Sequence, residues 1–268
     1  MTLPIFQVDA FTHELFIGNP AAVCLLAQPM PEAWMLLLAQ EMNLSETAFV
    51  LPQADGFSLR WFTPKVEVNL CGHATLASAH VLFENGLVPK SEPAHFFTRS
   101  GELLARRIPD GIELDFPVQP PQPTSPPPHA LLEALGVSQP LNVMAYGNKY
   151  LIEVASEAEV RALQPGFAAM LRATDYGACV TARADAASGY GFVSRFFAPF
   201  MGINEDPVTG SAHTMLEPYW AEKLGKTDLR AYQASARGGS LGVRVTPQRV
   251  YLSGQAVTVF QGKLAAQA

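Results

Sequence analysis

Residues 4–10 alternate apolar and polar positions, the period of a half-buried strand, and residues 21–26 form a more continuous apolar strand. Gly18-Asn19-Pro20 between them is turn chemistry. Over 31–42 the period changes. Met35, Leu38, Ala39 and Met42 fall at i, i+3, i+4 and i+7 behind Pro31, which suits a first helical position, so the pattern predicts a helix. Asn43-Leu44-Ser45-Glu46-Thr47 reads as a polar link into a strand at 48–51, and 57–62 reads as another strand. A second helix is predicted from about Gly72, with Leu76, Ala79, His80 and Phe83 as its buried stripe and Gly86 as its stop. Residues 96–107 and 111–116 predict a strand pair joined by the turn Pro109-Asp110-Gly111.

Seven of the twelve residues over 117–128 are proline, which predicts a stiff, extended linker and a domain boundary. Beyond it the order replays. Strands are expected within 141–154, at 176–182 and at 191–197. Ser156-x-x-Glu159 is a capping box opening a short helix. Ala212, Met215, Leu216 and Tyr219 mark a helix that Pro218 should bend, because proline removes a helical hydrogen bond. Residues 231–245 and 249–253 predict a second strand pair. A last strand at 256–260 has no counterpart before the linker. It is expected to return to the first domain and close its sheet.

The replay is also visible residue by residue. Gly56, Phe57, Arg60, Trp61, Phe62 and Pro64 match Gly191, Phe192, Arg195, Phe196, Phe197 and Pro199, each 135 positions later. Arg99, Gly101, Leu103, Arg106, Pro109 and Leu114 match Arg237, Gly239, Leu241, Arg244, Pro247 and Leu252 at an offset of 138, so the second copy carries three extra residues, placed between Pro199 and Gly210. A period near half the chain indicates two similar domains rather than a solenoid. The expected division is 1–116 with a returning strand at about 255–268, a linker at 117–128, and 129–254. A shared site between the two copies is expected, since pockets favour domain interfaces.

Composition narrows the function classes. With 49% hydrophobic and 16% charged residues the chain is a well-buried globular protein. A net charge of −6 and the lack of a basic run argue against a nucleic-acid partner. Three cysteines without regular spacing argue against a disulfide framework and fit a reducing cytoplasm. No signal peptide and no membrane-spanning run are read. No phosphate loop, dinucleotide fingerprint or metal-ligand cluster stands out, so no cofactor and no metal are expected.

The candidate chemistry gathers at two helix starts. Gly72-His73 and Gly210-Ser211 each open a helix, and helix N-termini present unpaired N–H groups to a carboxylate. Gly72 and Gly210 either admit a close backbone approach or merely start their helices. Glu46 sits among Leu44, Ala48 and Phe49, where desolvation can raise a carboxyl towards neutrality, or it is an ordinary ion-paired glutamate. His73 can stay neutral beside a positive helix end and bond substrate, or cap and pack. Asp206, held out of helical geometry by Pro207, binds a substrate amine or hydroxyl or caps the turn. Ser211 donates to a carboxylate or caps. Cys71 is a small buried hydrophobe or a thiol acid/base.

Gly18-Asn19-Pro20-Ala21, Asn43-Leu44-Ser45-Glu46-Thr47-Ala48-Phe49, Cys71-Gly72-His73-Ala74-Thr75, the run from Glu205 to His213 (EDPVTGSAH) and Ala234-Ser235-Ala236-Arg237-Gly238-Gly239 together resemble the PhzF-like phenazine-biosynthesis isomerase family. The motifs cover nearly the whole chain. The resemblance implies an α+β fold like that of diaminopimelate epimerase: two pseudo-symmetric domains, each a curled, mostly antiparallel sheet around a central helix, with the site in the cleft between them. It implies a cofactor-independent isomerase that moves a proton within a small carboxylate-bearing substrate, and a homodimer. Glu46 stands where the family has its base. His73 and Asp206 complete the catalytic set, and Gly72, Gly210, Ser211 and Cys71 hold substrate. The best-understood member isomerises a dihydro-hydroxyanthranilate. His213 departs from that member, so the resemblance carries the chemistry and not the phenazine substrate.

Diaminopimelate epimerase uses one cysteine at each helix start. Here Cys71 stands near the first such position and Ser211 takes the second. That leaves a one-thiol amino- or hydroxy-acid racemase as an alternative, and a non-catalytic small-ligand or protein-binding module as another.

Overall fold

The structure, a computed structural model, describes residues 2–265; the two outermost parts of the expected first domain, Met1 and residues 266–268, lie outside the described residues. The chain runs β1 (Leu3–Ala10), β2 (Asn19–Leu25), α1 (Glu32–Met42), β3 (Glu46–Gln53), β4 (Gly56–Phe62), β5 (Glu67–Val68), α2 (Gly72–Glu84), β6 (Ala94–Thr98), β7 (Gly101–Ile108) and β8 (Gly111–Pro117). It continues through β9 (Gln122–Pro123), α3 (His129–Leu135), β10 (Asn142–Tyr146), β11 (Lys149–Glu153), α4 (Glu157–Ala162), α5 (Phe167–Ala173), β12 (Gly177–Arg183), β13 (Phe192–Ala198), β14 (Ile203–Asp206) and α6 (Gly210–Leu224). It ends with β15 (Asp228–Gln233), β16 (Gly239–Val245), β17 (Arg249–Gly254) and β18 (Ala256–Leu264). Two compact units result: Met1–Phe116 with Tyr251–Ala268, and Pro117–Val250.

In the first unit β18, β1, β2, β3, β4, β6, β7 and β8 pair in that order. β2/β3 and β4/β6 are parallel and the other pairs antiparallel. The last strand therefore lies along the first, from Leu3 opposite Leu264 to Ala10 opposite Ala256. α2 packs on β1, β2, β3, β7 and β18, and every residue from Gly72 to Phe83 is buried. A helix enclosed on all sides is a core helix, not an amphipathic one. This corrects the expected single stripe. Ala74, Ala77 and Ala79 keep the helix thin, and the Thr75 and Ser78 hydroxyls donate to the Cys71 and Ala74 carbonyls at 2.6 and 2.7 Å, so its polar positions are satisfied inside.

Leu76 is fully buried on this helix, and its Cδ1 comes within 3.5 Å of where a side chain on Gly254 would start. Leu76→Ala should cost about 2–5 kcal/mol, because the surrounding strands cannot collapse into the vacated space. Urea unfolding checks this, and a loss below about 1 kcal/mol would contradict the rigid enclosure of α2.

In the second unit β9, β10, β11, β12, β13, β15 and β16 pair in order, with β14 also on β13. β11/β12 and β13/β15 are the parallel pairs. From β9 to β16 the sequence of parallel and antiparallel pairs matches that from β18 to β7 in the first unit. The repeat reaches side chains. Arg60 Nε and Nη2 grip Glu67 at 2.7 and 2.6 Å, and Arg195 Nε and Nη2 grip Glu205 at 2.7 and 2.9 Å. Each guanidinium also stacks over a phenylalanine, Phe62 or Phe197. The first partners are 135 positions apart and the second 138, which places the three extra residues between Arg195 and Glu205.

Other expectations change. Residues 96–107 are two strands, because Thr98, Ser100 and Gly101 (φ +98°) build a tight turn closed by the Thr98 hydroxyl. Residues 231–245 are likewise broken, between Gln233 and Gly239. The proline-rich stretch is not a free linker. β9 pairs with β10, and the Val118 and Gln119 amides bond the Gln248 and Thr214 carbonyls. α3 and α5 were not anticipated; they pack on each other, with Leu131, Leu135 and Met170 buried in the core. Pro218 lies inside α6, which runs on to Leu224.

Candidate active site

Glu46 is the first residue of β3, not part of a polar link, and pairs in parallel register with Ala21 of β2. The link is shorter than expected because strand pairing begins where β2 supplies a partner. Asn19 opens β2 after Gly18, whose φ of +71° and approach to the Ala10 carbonyl leave no room for a side chain. Cys71 is the residue before α2 and His73 its second residue. The starts of two parallel strands and one helix therefore converge.

The side chains meet around the His73 ring. Its Nδ1 lies 3.0 Å from Asn19 Nδ2 and 3.5 Å from Cys71 Sγ; its Nε2 lies 3.3 Å from Glu46 Oε2. All four residues are buried. Burial pushes the His73 imidazole down to about 3, so it is neutral near pH 7. With the Asn19 NH2 facing it, Nδ1 accepts and the single ring proton sits on Nε2, beside the Glu46 carboxylate but not hydrogen-bonded to it. At 3.3 Å this contact is longer than the usual N–H···O bond, which leaves the carboxylate able to take a proton from elsewhere. Ligand-type atoms of Glu46, Cys71 and His73 all lie within 4.8 Å of one another.

The second unit repeats the strand-turn-helix arrangement. α6 starts at Gly210 after Thr209. The Thr209 hydroxyl donates to Asp206 Oδ2 at 2.6 Å. Gln233 Nε2 donates to the Asp206 carbonyl at 2.6 Å, and Gln233 Oε1 accepts from the Thr209 amide at 2.8 Å. His213 Nδ1 donates to the Thr209 carbonyl at 2.8 Å, and burial holds its imidazole down at about 4. Asp206 is thus bonded into the turn that launches α6, while Ser211 is half-buried one residue past Gly210. In this register Cys71 corresponds to Thr209, and His73 to Ser211, each 138 positions apart. That corrects the pairing of Cys71 with Ser211.

Neither Cys71 nor Thr209 caps its helix through its side chain. Both helix starts therefore keep first-turn N–H groups without a side-chain cap, the arrangement that suits an anion. Two surface depressions, one at Ala130, Glu133 and Arg172 and one at Arg183, Tyr190 and Lys226, include none of the candidate residues. Asn19 and Gln233 were missed as site residues. Gly18-Asn19, which recurs as Gly147-Asn148, is a faint signal in the sequence for the first; nothing local marks the second.

The sequence profile of the PhzC-PhzF phenazine biosynthesis-like proteins matches residues 8–262. The chain belongs to that family. It is 50% identical to an uncharacterized isomerase of Halalkalibacterium halodurans over 98% of this chain and 99% of that one. It superposes on the crystal structure of a PhzF-family phenazine biosynthesis protein from Enterococcus faecalis with a TM-score of 0.91, at 42% identity over 99% of this chain and 100% of that one. A hydroxyproline epimerase from Agrobacterium vitis shares the fold at a TM-score of 0.64 and 11% identity, covering 98% of this chain and 92% of its own. The fold is the mixed α/β arrangement of PhzF proteins and epimerases, with a curled sheet about a buried helix.

Proposed function

We propose that the chain is a cofactor-independent isomerase that moves a proton within a small carboxylate-bearing molecule. One observation carries the reading: a buried glutamate lies 3.3 Å from Nε2 of a neutral histidine, whose Nδ1 faces a buried amide at 3.0 Å. Glu46 removes a proton from one carbon and returns it to another, as general base and then general acid. His73 orients the carboxylate and donates to charge that develops on the substrate. Gly72 offers a backbone N–H group to the substrate carboxylate. In the second unit Gly210 and Ser211 open a helix with N–H groups of the same kind, and the Asp206 carboxylate can accept from an amine or hydroxyl. The isomerase named among the relatives supports the reaction class.

The test is proton NMR in heavy water with a panel of amino, hydroxy and dihydroaromatic carboxylic acids. Loss of a carbon-bound proton signal identifies a substrate. Binding without exchange across the panel would instead favour a ligand-binding role.

The contact of Cys71 Sγ with the His73 ring favours one second reading, a racemase in which that thiol is an acid/base. Cys24 and Cys179 are not rivals, since burial raises both to about 12. The Glu46 reading expects Cys71→Ser to retain exchange within about tenfold, while a thiol acid would lose the bulk of its general-acid factor of about 10²–10⁴.

A further inference from the structure

We propose that Glu46, Cys71 and His73 also form a binding site for one thiophilic divalent cation of the zinc class, which blocks the chemistry instead of performing it. The cluster is the one that the isomerase reading uses, and the inference that the ion inhibits rests on that reading; the inference that it binds does not. One carboxylate oxygen, one thiol and one imidazole nitrogen, all within 4.8 Å of one another and all buried, are the mixed donor set that zinc prefers. In a tetrahedral site donors stand about 3.3–3.7 Å apart, given metal bonds of about 2.0–2.3 Å. Glu46 Oε2 and His73 Nε2 already do, at 3.3 Å. Cys71 Sγ lies 3.5 Å from Nδ1 of the same ring, so a rotation about its Cα–Cβ bond has to carry the sulfur towards the Glu46 side. Water fills the fourth position.

The surroundings fit. A metal-ligating Nε2 needs its proton on Nδ1 and an acceptor beside it. Asn19 lies at 3.0 Å from Nδ1, and turning its amide over presents Oδ1 in place of Nδ2. Coordination releases the Cys71 thiol proton to solvent and draws the ring proton to Nδ1. The other thiols do not compete, because burial raises Cys24 and Cys179 to about 12. An ion seated here occupies the Glu46 oxygen and the His73 nitrogen that proton transfer requires.

The experiment uses the metals alone on the full chain. Zinc is titrated against a chromogenic chelator, and cobalt(II) is added as a spectroscopic probe, with circular dichroism confirming that each variant is folded. The expected result is one zinc per chain and a sulfur-to-cobalt charge-transfer band in the near ultraviolet from the native protein. Cys71→Ser should abolish the band, and Cys71→Ser, Glu46→Gln and Asn19→Leu should each weaken zinc binding by about tenfold or more. No zinc uptake, a cobalt complex without the sulfur band, or Cys71→Ser binding zinc as tightly as the native chain would overturn the proposal. No substrate is involved, so a failure of the isomerase reading in heavy water leaves this result standing, and the reverse.

Discussion

Glu217→Gln should remove a pH dependence of stability that the native protein shows between about pH 4.5 and 8. Glu217 lies on α6, fully buried, and neither carboxyl oxygen has a hydrogen-bond partner among the described residues. Burial, and then the charge of Asp228, push the carboxyl up from 4.5 to about 8. The folded chain therefore keeps this proton where the unfolded chain has lost it. Stability is full below about pH 4.5, falls as pH rises, and levels off above about 8. A tenfold difference in proton affinity between folded and unfolded chain is worth about 1.4 kcal/mol, so the loss is on the order of a few kcal/mol. Glutamine matches the neutral carboxyl in shape and does not titrate. Urea midpoints at pH 5, 6.5, 8 and 9 should fall in the native protein and stay nearly level, as far as this group is concerned, in the variant. Parallel curves for the two proteins would mean that Glu217 is hydrated or paired.

Glu46→Gln should lower turnover by about 10²–10⁴-fold, the usual worth of a positioned acid/base, with little change in KM. Glutamine keeps the shape beside His73 but cannot accept a carbon-bound proton. The Gly72 amide proposed to bind the substrate is untouched by the substitution, which is why binding should survive. His73 contributes no ionisation of its own between pH 5 and 9, because its proton equilibrium lies near 3. A rise in KM with unchanged turnover would make Glu46 a binding residue instead.

The strands and the two long helices were legible because their cause is local. Gln7, Val8 and Asp9 alternate, and Met35, Leu38 and Ala39 repeat at helical spacing. The repeat was legible because duplication preserved Arg60-Trp61-Phe62 and Arg195-Phe196-Phe197 in register. What failed depended on distant partners. The encirclement of α2 comes from strands as far away as β18, so its own sequence shows only an apolar stripe. The start of β3 at Glu46 depends on Ala21 opposite it. Glu46, His73, Asp206 and Ser211 were picked out largely through resemblance, whereas the amides that hold their neighbours, Asn19 and Gln233, carry no chemical motif. Their role appears only when a turn at residue 18 or a strand ending at residue 233 brings them to a helix start.

The measurement that bears most directly on the account is the rate of solvent deuterium entry into a carbon position of a turned-over acid, native protein against Glu46→Gln, in heavy water. The account expects exchange by the native chain, and in the variant a rate at least about a hundredfold lower with the ligand still bound. Exchange by Glu46→Gln at the native rate would contradict it, and would pass the proton to Cys71 or to another group.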